Sequence, residues 1–272
     1  FLPGKLTKFG LDYASLSQGN SGLVYCSISG FGQDGPRRDE PGYDFVVQAM
    51  SGFMALTGEP DGAPMKHAMS ISDLFCGLYS TIAIQAALAM RQRTGKGQHI
   101  DMALYDCSVA LLAHQAQSFF TTGENPPRMG NMHAQVSAYG VFPTKDGPVV
   151  LAPANDRLFR KLLEVFERHD LLGDERFATN EARIANRAQI DGIIAAETAQ
   201  WDREALLAAC RKAGVPAGPI YEVSEVFEDP QVQARGMTFP MAEGLTGLRS
   251  PFSFSDAELA LGEPSPRLGQ DD

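Results

Sequence analysis

The chain has 272 residues, 44% of them hydrophobic and 21% charged, the composition of an ordinary folded protein with one large domain and a smaller one, which excludes disorder. Its formal charge of −10 argues against nucleic acid or an anionic membrane as a general partner, because those surfaces call for an excess of Lys and Arg. An anionic ligand would need a local basic cluster.

Taken in chain order, Phe1 to Gly10 carries an early Pro and a terminal Gly, the marks of one brief helix with Lys5 and Lys8 on a shared face. Leu23 to Ile28 is a short run of β-formers closed by the turn Ser29 to Gly35, so a buried strand is expected. A polar loop through Arg37, Arg38, Asp39, Glu40 and Pro41 leads to an expected helix from Tyr43 to Met54. Ser70 to Leu78 then joins a polar connection to the most apolar helix of the chain, with Leu74, Leu78, Ile82 and Met90 separated by small residues, which predicts burial on most sides. That run holds Ser80, Thr81 and Gln85 and ends at Arg91 and Arg93, so it reads as a core helix and not a membrane span. Gly95 supplies its stop, His99 to Leu104 alternates as a strand, and a helix is expected from Asp106 to Phe120.

The order strand, helix, strand, helix predicts an α/β layer with parallel pairing and a ligand at the strand ends. Composition shifts at Thr122 to Pro127, which separates a large-lobe portion, 1–127, from a smaller α+β lobe, 128–221. The second lobe should hold a hairpin around Lys145, Asp146 and Gly147 and helices over Asp156 to Arg168, Asn180 to Ala199 and Asp202 to Ala213. A Pro- and Gly-rich segment, 222–272, with a short helix at Asp229 to Arg235, is expected to return and pack on the large lobe.

Four scattered cysteines, Cys26, Cys76, Cys107 and Cys210, form no CxxC pair, which predicts reduced, buried thiols, no disulfide, no zinc and a cytoplasmic setting. The five histidines share no metal-ligand spacing, and neither HExxH nor GxSxG occurs. Of these, His133 stands in the small polar stretch Arg128 to His133 beside the linker, a place where a substrate group could be met, although a lone loop histidine is ordinarily just solvated. Gly30, Gly32 and Gly35 spell GxGxxG, but Pro36 to Asp39 continue as loop where a phosphate-binding helix should start, so a glycine-rich turn near a ligand is the better reading. Asp73 admits two readings. It is a helix N-cap accepting from the amides of Phe75 or Cys76, or a carboxylate kept ionised by the helix terminus and made reactive by an apolar surround.

Several stretches together resemble the family III CoA-transferases of the CaiB/BaiF type, whose familiar members include formyl-CoA transferase: Leu23 to Gly35, Pro41-Gly-Tyr-Asp, Gln48-Ala-Met-Ser-Gly, Leu56 to Gly62, Asp73 with Gly77, and Arg93 to Asp101. Arg128 to Asn131, Phe177 to Asn180, Gly214 to Pro219 and Asp229 to Gly236 extend the likeness over the whole chain. Members of that family begin with a strand and helix unit that binds much of CoA, and this sequence starts after it, at Phe1, so a portion of a longer or split polypeptide is expected. The resemblance implies a Rossmann-like large lobe lacking its N-terminal part, a smaller α+β lobe, and an interlocked homodimer.

Position by position, the resemblance implies that Asp73 is the nucleophile and that Phe1, Lys5, Lys8 and Phe9 contact CoA. It lays Glu40, Pro41, Gly42 and Tyr43 along the pantetheine and thioester, and makes Gly130 and Asn131 a mobile loop over the acyl group. Acyl-CoA and a small carboxylic acid are then the substrates, with no permanently bound cofactor. The reaction runs through an acyl-aspartyl anhydride and an aspartyl-CoA thioester. Arg128, Lys145 and Arg249 are candidate cations for a dicarboxylate. Two rivals remain: an α-methylacyl-CoA racemase, disfavoured because Tyr43 stands where those relatives place His and a tyrosine is a poor base at neutral pH, and a non-catalytic CoA-binding or scaffold remnant.

Overall fold

Two parallel strands and the long helix between them organise the first part of the chain. A computed structural model describes residues 2–262 and 264–270, with Glu243 described by its backbone alone. Contacts divide the chain into Phe1–Gly140 and Val141–Asp272.

In the first unit, a 3-10 turn at Thr7–Phe9 replaces the brief helix expected over the opening ten residues. Then come α1 (Tyr13–Gly19), β1 (Val24–Ser29), α2 (Asp44–Met50), α3 (Phe53–Leu56), α4 (Ile71–Thr94), β2 (Gln98–Ala103), α5 (Leu104–Ala110) and α6 (Ala113–Thr122). β1 and β2 pair in parallel from Val24 opposite Gln98 to Ser29 opposite Ala103. A parallel pair needs a long crossover, and α4 fills it, packing on both strands and on α2 and α5. Val47, Cys76, Leu104 and Cys107 form the core at that junction, joined by Met102 and Tyr105.

Two expected helices are broken. Gly52, at φ 93°, separates α2 from α3 inside the stretch Tyr43 to Met54, a left-handed conformation that glycine adopts without strain. Ala113, at φ 44°, separates α5 from α6 with no glycine to announce it. Here packing overrides a run of good helix formers.

The second unit carries β3 (Gly140–Phe142), β4 (Val149–Leu151), α7 (Asp156–Val165), α8 (Asn180–Ala185), α9 (Arg187–Thr198), α10 (Arg203–Ala213), β5 (Ala217–Pro219), α11 (Val223–Glu228), α12 (Pro230–Ala234), β6 (Thr238–Pro240) and β7 (Thr246–Leu248). Its main sheet has the order β3-β4-β5, with Val149 opposite Pro219 in an antiparallel pair. Asn186 breaks the helix expected over Asn180 to Ala199. The core is built from helical repeats: Phe159, Leu162 and Leu163 of α7, Ile190 and Ile194 of α9, Leu206 and Cys210 of α10, all buried at the three- and four-residue spacing of one helix face. Arg183 is buried with them.

The boundary falls thirteen residues later than the composition shift suggested, at 140/141 and not 127/128. Arg128 donates to the carbonyls of Ala55, Glu59 and Gly62, and Met132 bridges Gly140, so 128–140 stays with the first unit. Residues 222–270 group with the second unit. The α/β class is as expected.

Candidate active site

The first turn of α4 is held by side chains from other elements. A helix start exposes amides without intrahelical partners, and Ser70, the N-cap, offers no side-chain bond to them. Ile71 N instead donates to Met69 O at 2.8 Å, Leu74 N to Ser70 O at 3.1 Å, and Ser72 N to Asp44 Oδ1 at 2.9 Å. The cap expected of Asp73 is therefore supplied by Asp44, the first residue of α2, and Asp73 is the third residue of the helix.

Behind this bond lies a polar cluster. Gln48, one turn along α2 from Asp44, donates from Nε2 to Asp44 Oδ2 at 2.7 Å, while its Oε1 accepts the amide of His67 at 2.8 Å. Ser108 of α5 has its Oγ 3.0 Å from Ser72 Oγ and 2.9 Å from Leu104 O. A hydroxyl has one proton, so when Ser108 donates to the carbonyl, Ser72 supplies the proton between the two hydroxyls. Gln48, Ser72 and Ser108 are all buried.

Asp73 is the opposite case. It is exposed, and among the described residues no hydrogen bond or ion pair engages its carboxylate. Its pKa lies above the ordinary carboxylate value, first because partial burial disfavours the charge and second because the Asp44 carboxylate lies near. The lowering expected from the helix terminus is outweighed. The burial expected for α4 on most sides is also corrected: Ser72, Cys76, Ser80 and Ala87 face the protein, whereas Leu74 and Leu78 are 55% exposed and Ile82 65%. The fully buried positions of the helix are thus Ser, Cys and Ala. By length and composition alone, Ile71–Thr94 could cross a membrane.

The loop before α2 runs against the end of β1. A Cβ on Gly30 would lie 2.5 Å from Gly42 Cα, so only two glycines permit this approach of backbones. Residues 34–40 are turns and bends with no helix at Gly35, which removes the dinucleotide reading of Gly30, Gly32 and Gly35. Glu40 is held by Arg37 at 2.8 Å, and Pro41 is exposed. Tyr43 is 77% exposed. Tyr43 and Asp73 each stand one residue from the Asp44 to Ser72 bond.

The remaining sequence candidates gather less closely. Gly130, at φ 56°, donates to Gly58 O at 3.1 Å, and a Cβ there would lie 2.9 Å from the Glu59 carboxylate, so Gly130 and Asn131 ride on the 55–62 loop. His133 is engaged locally: its Nδ1 accepts the Gln135 amide at 3.1 Å and its ring lies 4.9 Å from that of Tyr139. Lys5, Lys8 and Phe9 are exposed around the opening turn, with Lys8 Nζ 4.7 Å over the Phe9 ring. They do not line the cleft of about 380 Å³ formed by Leu2, Pro3, Thr7, Tyr13, Ser27 and His99. Phe1 lies outside the described residues.

The cations nominated for a dicarboxylate are occupied. Arg128 serves three carbonyls, Lys145 lies 3.5 Å from Asp202, and Arg249 donates to Arg235 O, Phe252 O and Ser253 Oγ. Among the described residues no group of three His, Cys, Asp or Glu side chains could hold a metal. Cys76, Cys107 and Cys210 are buried free thiols, and burial pushes Cys107 up to about 12. Sequence reasoning missed Asp44, Gln48, Ser72 and Ser108. The four-residue spacing of Asp44 and Gln48 was a signal, whereas the bonds to Ser72 and His67 are long-range.

The sequence matches CoA-transferase family III over residues 1–272. It is 49% identical over 269 residues to the succinate–glutarate CoA-transferase of Agrobacterium fabrum, covering 97% of this chain and 67% of that protein. It is 40% identical over 238 residues to the acetyl-CoA:oxalate CoA-transferase of Acetobacter aceti, covering 87% of this chain and 61% of that one. The chain thus spans about two thirds of the length of these relatives. A crystal structure of a CaiB/BaiF family protein from Brucella suis superposes with a TM-score of 0.85 at 51% identity, covering 99% of this chain and 71% of that one.

Proposed function

The chain belongs to CoA-transferase family III, and from that premise we propose that it moves coenzyme A from an acyl-CoA to a free carboxylic acid, with Asp73 as the nucleophile. The observation that carries the reading is the Asp73 carboxylate itself, exposed and without a partner among the described residues, at the head of a helix whose first turn is otherwise tied down. A nucleophile needs a free lone pair and a fixed position.

Asp73 attacks the thioester carbonyl of the donor, the C–S bond breaks, and CoA leaves as thiolate. The thiolate attacks the aspartyl carbonyl of the mixed anhydride, which releases the donor acid as carboxylate and leaves an aspartyl-CoA thioester. The acceptor carboxylate attacks that thioester and frees the thiolate again, and the thiolate takes the acceptor acyl group from the second anhydride. Asp73 is regenerated as carboxylate, so no oxidant, reductant or external base is consumed. A carboxylate whose ionised form is disfavoured by partial burial is a stronger nucleophile than one in water.

The loop Glu40 to Tyr43 is read as the wall along the pantetheine, Lys5, Lys8 and Phe9 as contacts to CoA, and Gly130 and Asn131 as the cover over the acyl group. Relatives named for succinate, glutarate and oxalate favour short dicarboxylates as acyl groups. Arg128 and Arg249 already donate to backbone carbonyls, whereas Lys145 holds only an exposed ion pair with Asp202. The apolar stripe Leu74, Leu78 and Ile82 supports an assembly in which a second, interlocked copy covers α4.

The test uses the whole protein with pairs of acyl-CoA and carboxylate, followed by mass spectrometry of the CoA products. Succinyl-CoA with glutarate should give glutaryl-CoA, and Asp73→Ala should abolish it while circular dichroism stays unchanged. Full transfer by that variant contradicts the reading.

A further inference from the structure

Among the described residues Asp73 has no partner that fixes its carboxylate, so its placement is inherited from the backbone of the first turn of α4. That backbone is held at Ser72 by Asp44, and Asp44 is held by Gln48. Gln48 has 0% exposure, and its amide orientation is settled by chemistry: Oε1 must face the His67 N–H and Nε2 must face the Asp44 carboxylate. One side chain therefore couples the carboxylate that grips Ser72 to the strand of chain that leads into the helix. Its Nε2 also lies 3.4 Å from Met69 O, two residues short of the first helical residue.

We infer that Gln48 is a positioning residue for the transfer reaction, setting Asp73 through Asp44 and the 67–69 segment. The inference rests on Asp73 being the nucleophile. Gln48 touches no reacting atom. Its removal frees Asp44 Oδ2 and takes away the acceptor that holds the His67 amide, so the first turn of α4 can shift. Misplacing a nucleophile by about 1 Å can lower the rate by about 100-fold, while groups that bind CoA elsewhere are untouched.

The experiment compares Gln48→Leu and Gln48→Glu with the wild type in the whole protein, with rates referred to the folded fraction measured by circular dichroism. Gln48→Leu should lower kcat by about 100-fold with KM for acyl-CoA within about twofold, the pattern of an interaction needed only for the chemical step. Gln48→Glu keeps an acceptor for His67 and can share a proton with Asp44, so its kcat should lie between the other two. Should Gln48→Leu fail to fold, Gln48→Glu against wild type carries the comparison, and a normal kcat there overturns the inference. An unchanged kcat in Gln48→Leu, a rise in KM alone, or a Gln48→Glu no better than Gln48→Leu also overturns it. Asp73→Asn is measured alongside: continued transfer by that variant removes the nucleophile reading itself, whereas an inactive Asp73→Asn with a normal Gln48→Leu removes only the role of Gln48.

Discussion

Arg183 in the second unit and Asp73 in the first are both charged residues on helices, and their surroundings are opposite. Arg183 is wholly buried, donates to Asp156 Oδ1 at 2.7 Å and to Phe177 O at 2.9 Å, and lies 4.2 Å over the Phe159 ring. Asp73 is exposed, with no such partner among the described residues, beside a cluster that fixes the residues around it. A buried charge with several partners is a structural group, because removing it leaves those partners and a cavity behind. A charge left without partners next to a rigid turn is free to react.

The contrast can be broken most sharply at Arg183. Arg183→Ala should destabilise the second unit by about 3 kcal/mol in urea unfolding, through the lost hydrogen bonds and the cavity over Phe159. A loss near zero would mean that partners do not mark a structural charge here. Next in size is Gly30→Ala, which drives a methyl into the Gly42 backbone. About 2 kcal/mol of stability should go, and transfer should fall because the loop bearing Tyr43 is displaced; activity at the wild-type level would separate that loop from the site.

Asp73 sharpens the same comparison with smaller effects. A carboxyl whose folded pKa is raised binds its proton more tightly in the folded chain, so its ionisation costs stability as pH rises from about 3.8 through the folded value. Asp73→Asn should therefore be slightly more stable than wild type at neutral pH. Solvent screening limits the gain to about 0.5 kcal/mol, and it should vanish in acid, where Asp73 is neutral in both states. A loss of stability at neutral pH would assign Asp73 a structural role. Asp44→Asn removes the like charge that helps raise Asp73 as well as an acceptor for Gln48, and in the activity that remains the acid limb of the kcat/KM profile should move to lower pH. An unmoved or raised limb would disconnect the two carboxylates.

Much of this molecule can be read from local sequence, and the unreadable part has one cause. β1 follows from a run of β-formers, β2 from apolar alternation, and the stop of α4 at Gly95 from a left-handed glycine. The α7, α9 and α10 faces follow from apolar spacing. Asp73 is singled out in the sequence by type and place, and Tyr43 by the Pro-Gly-Tyr-Asp stretch. What local pattern does not contain is pairing across long separations: Asp44 reaching Ser72, Gln48 reaching His67, and Arg128 reaching back to Ala55, Glu59 and Gly62. Those bonds displace Asp73 from the cap, move the unit boundary to 140, and tie Arg128 to backbone carbonyls. The outward-facing apolar stripe of α4 escaped for a related reason, since composition cannot say which side of an apolar helix has neighbours.

The central claim is that Asp73 becomes covalently acylated. Incubating the whole protein with succinyl-CoA and no acceptor, quenching in acid and mapping peptides by mass spectrometry should place an acyl or CoA adduct on Asp73, and Asp73→Asn should carry none. An unmodified Asp73 peptide in a preparation that still transfers CoA, or an adduct at another residue, would contradict it.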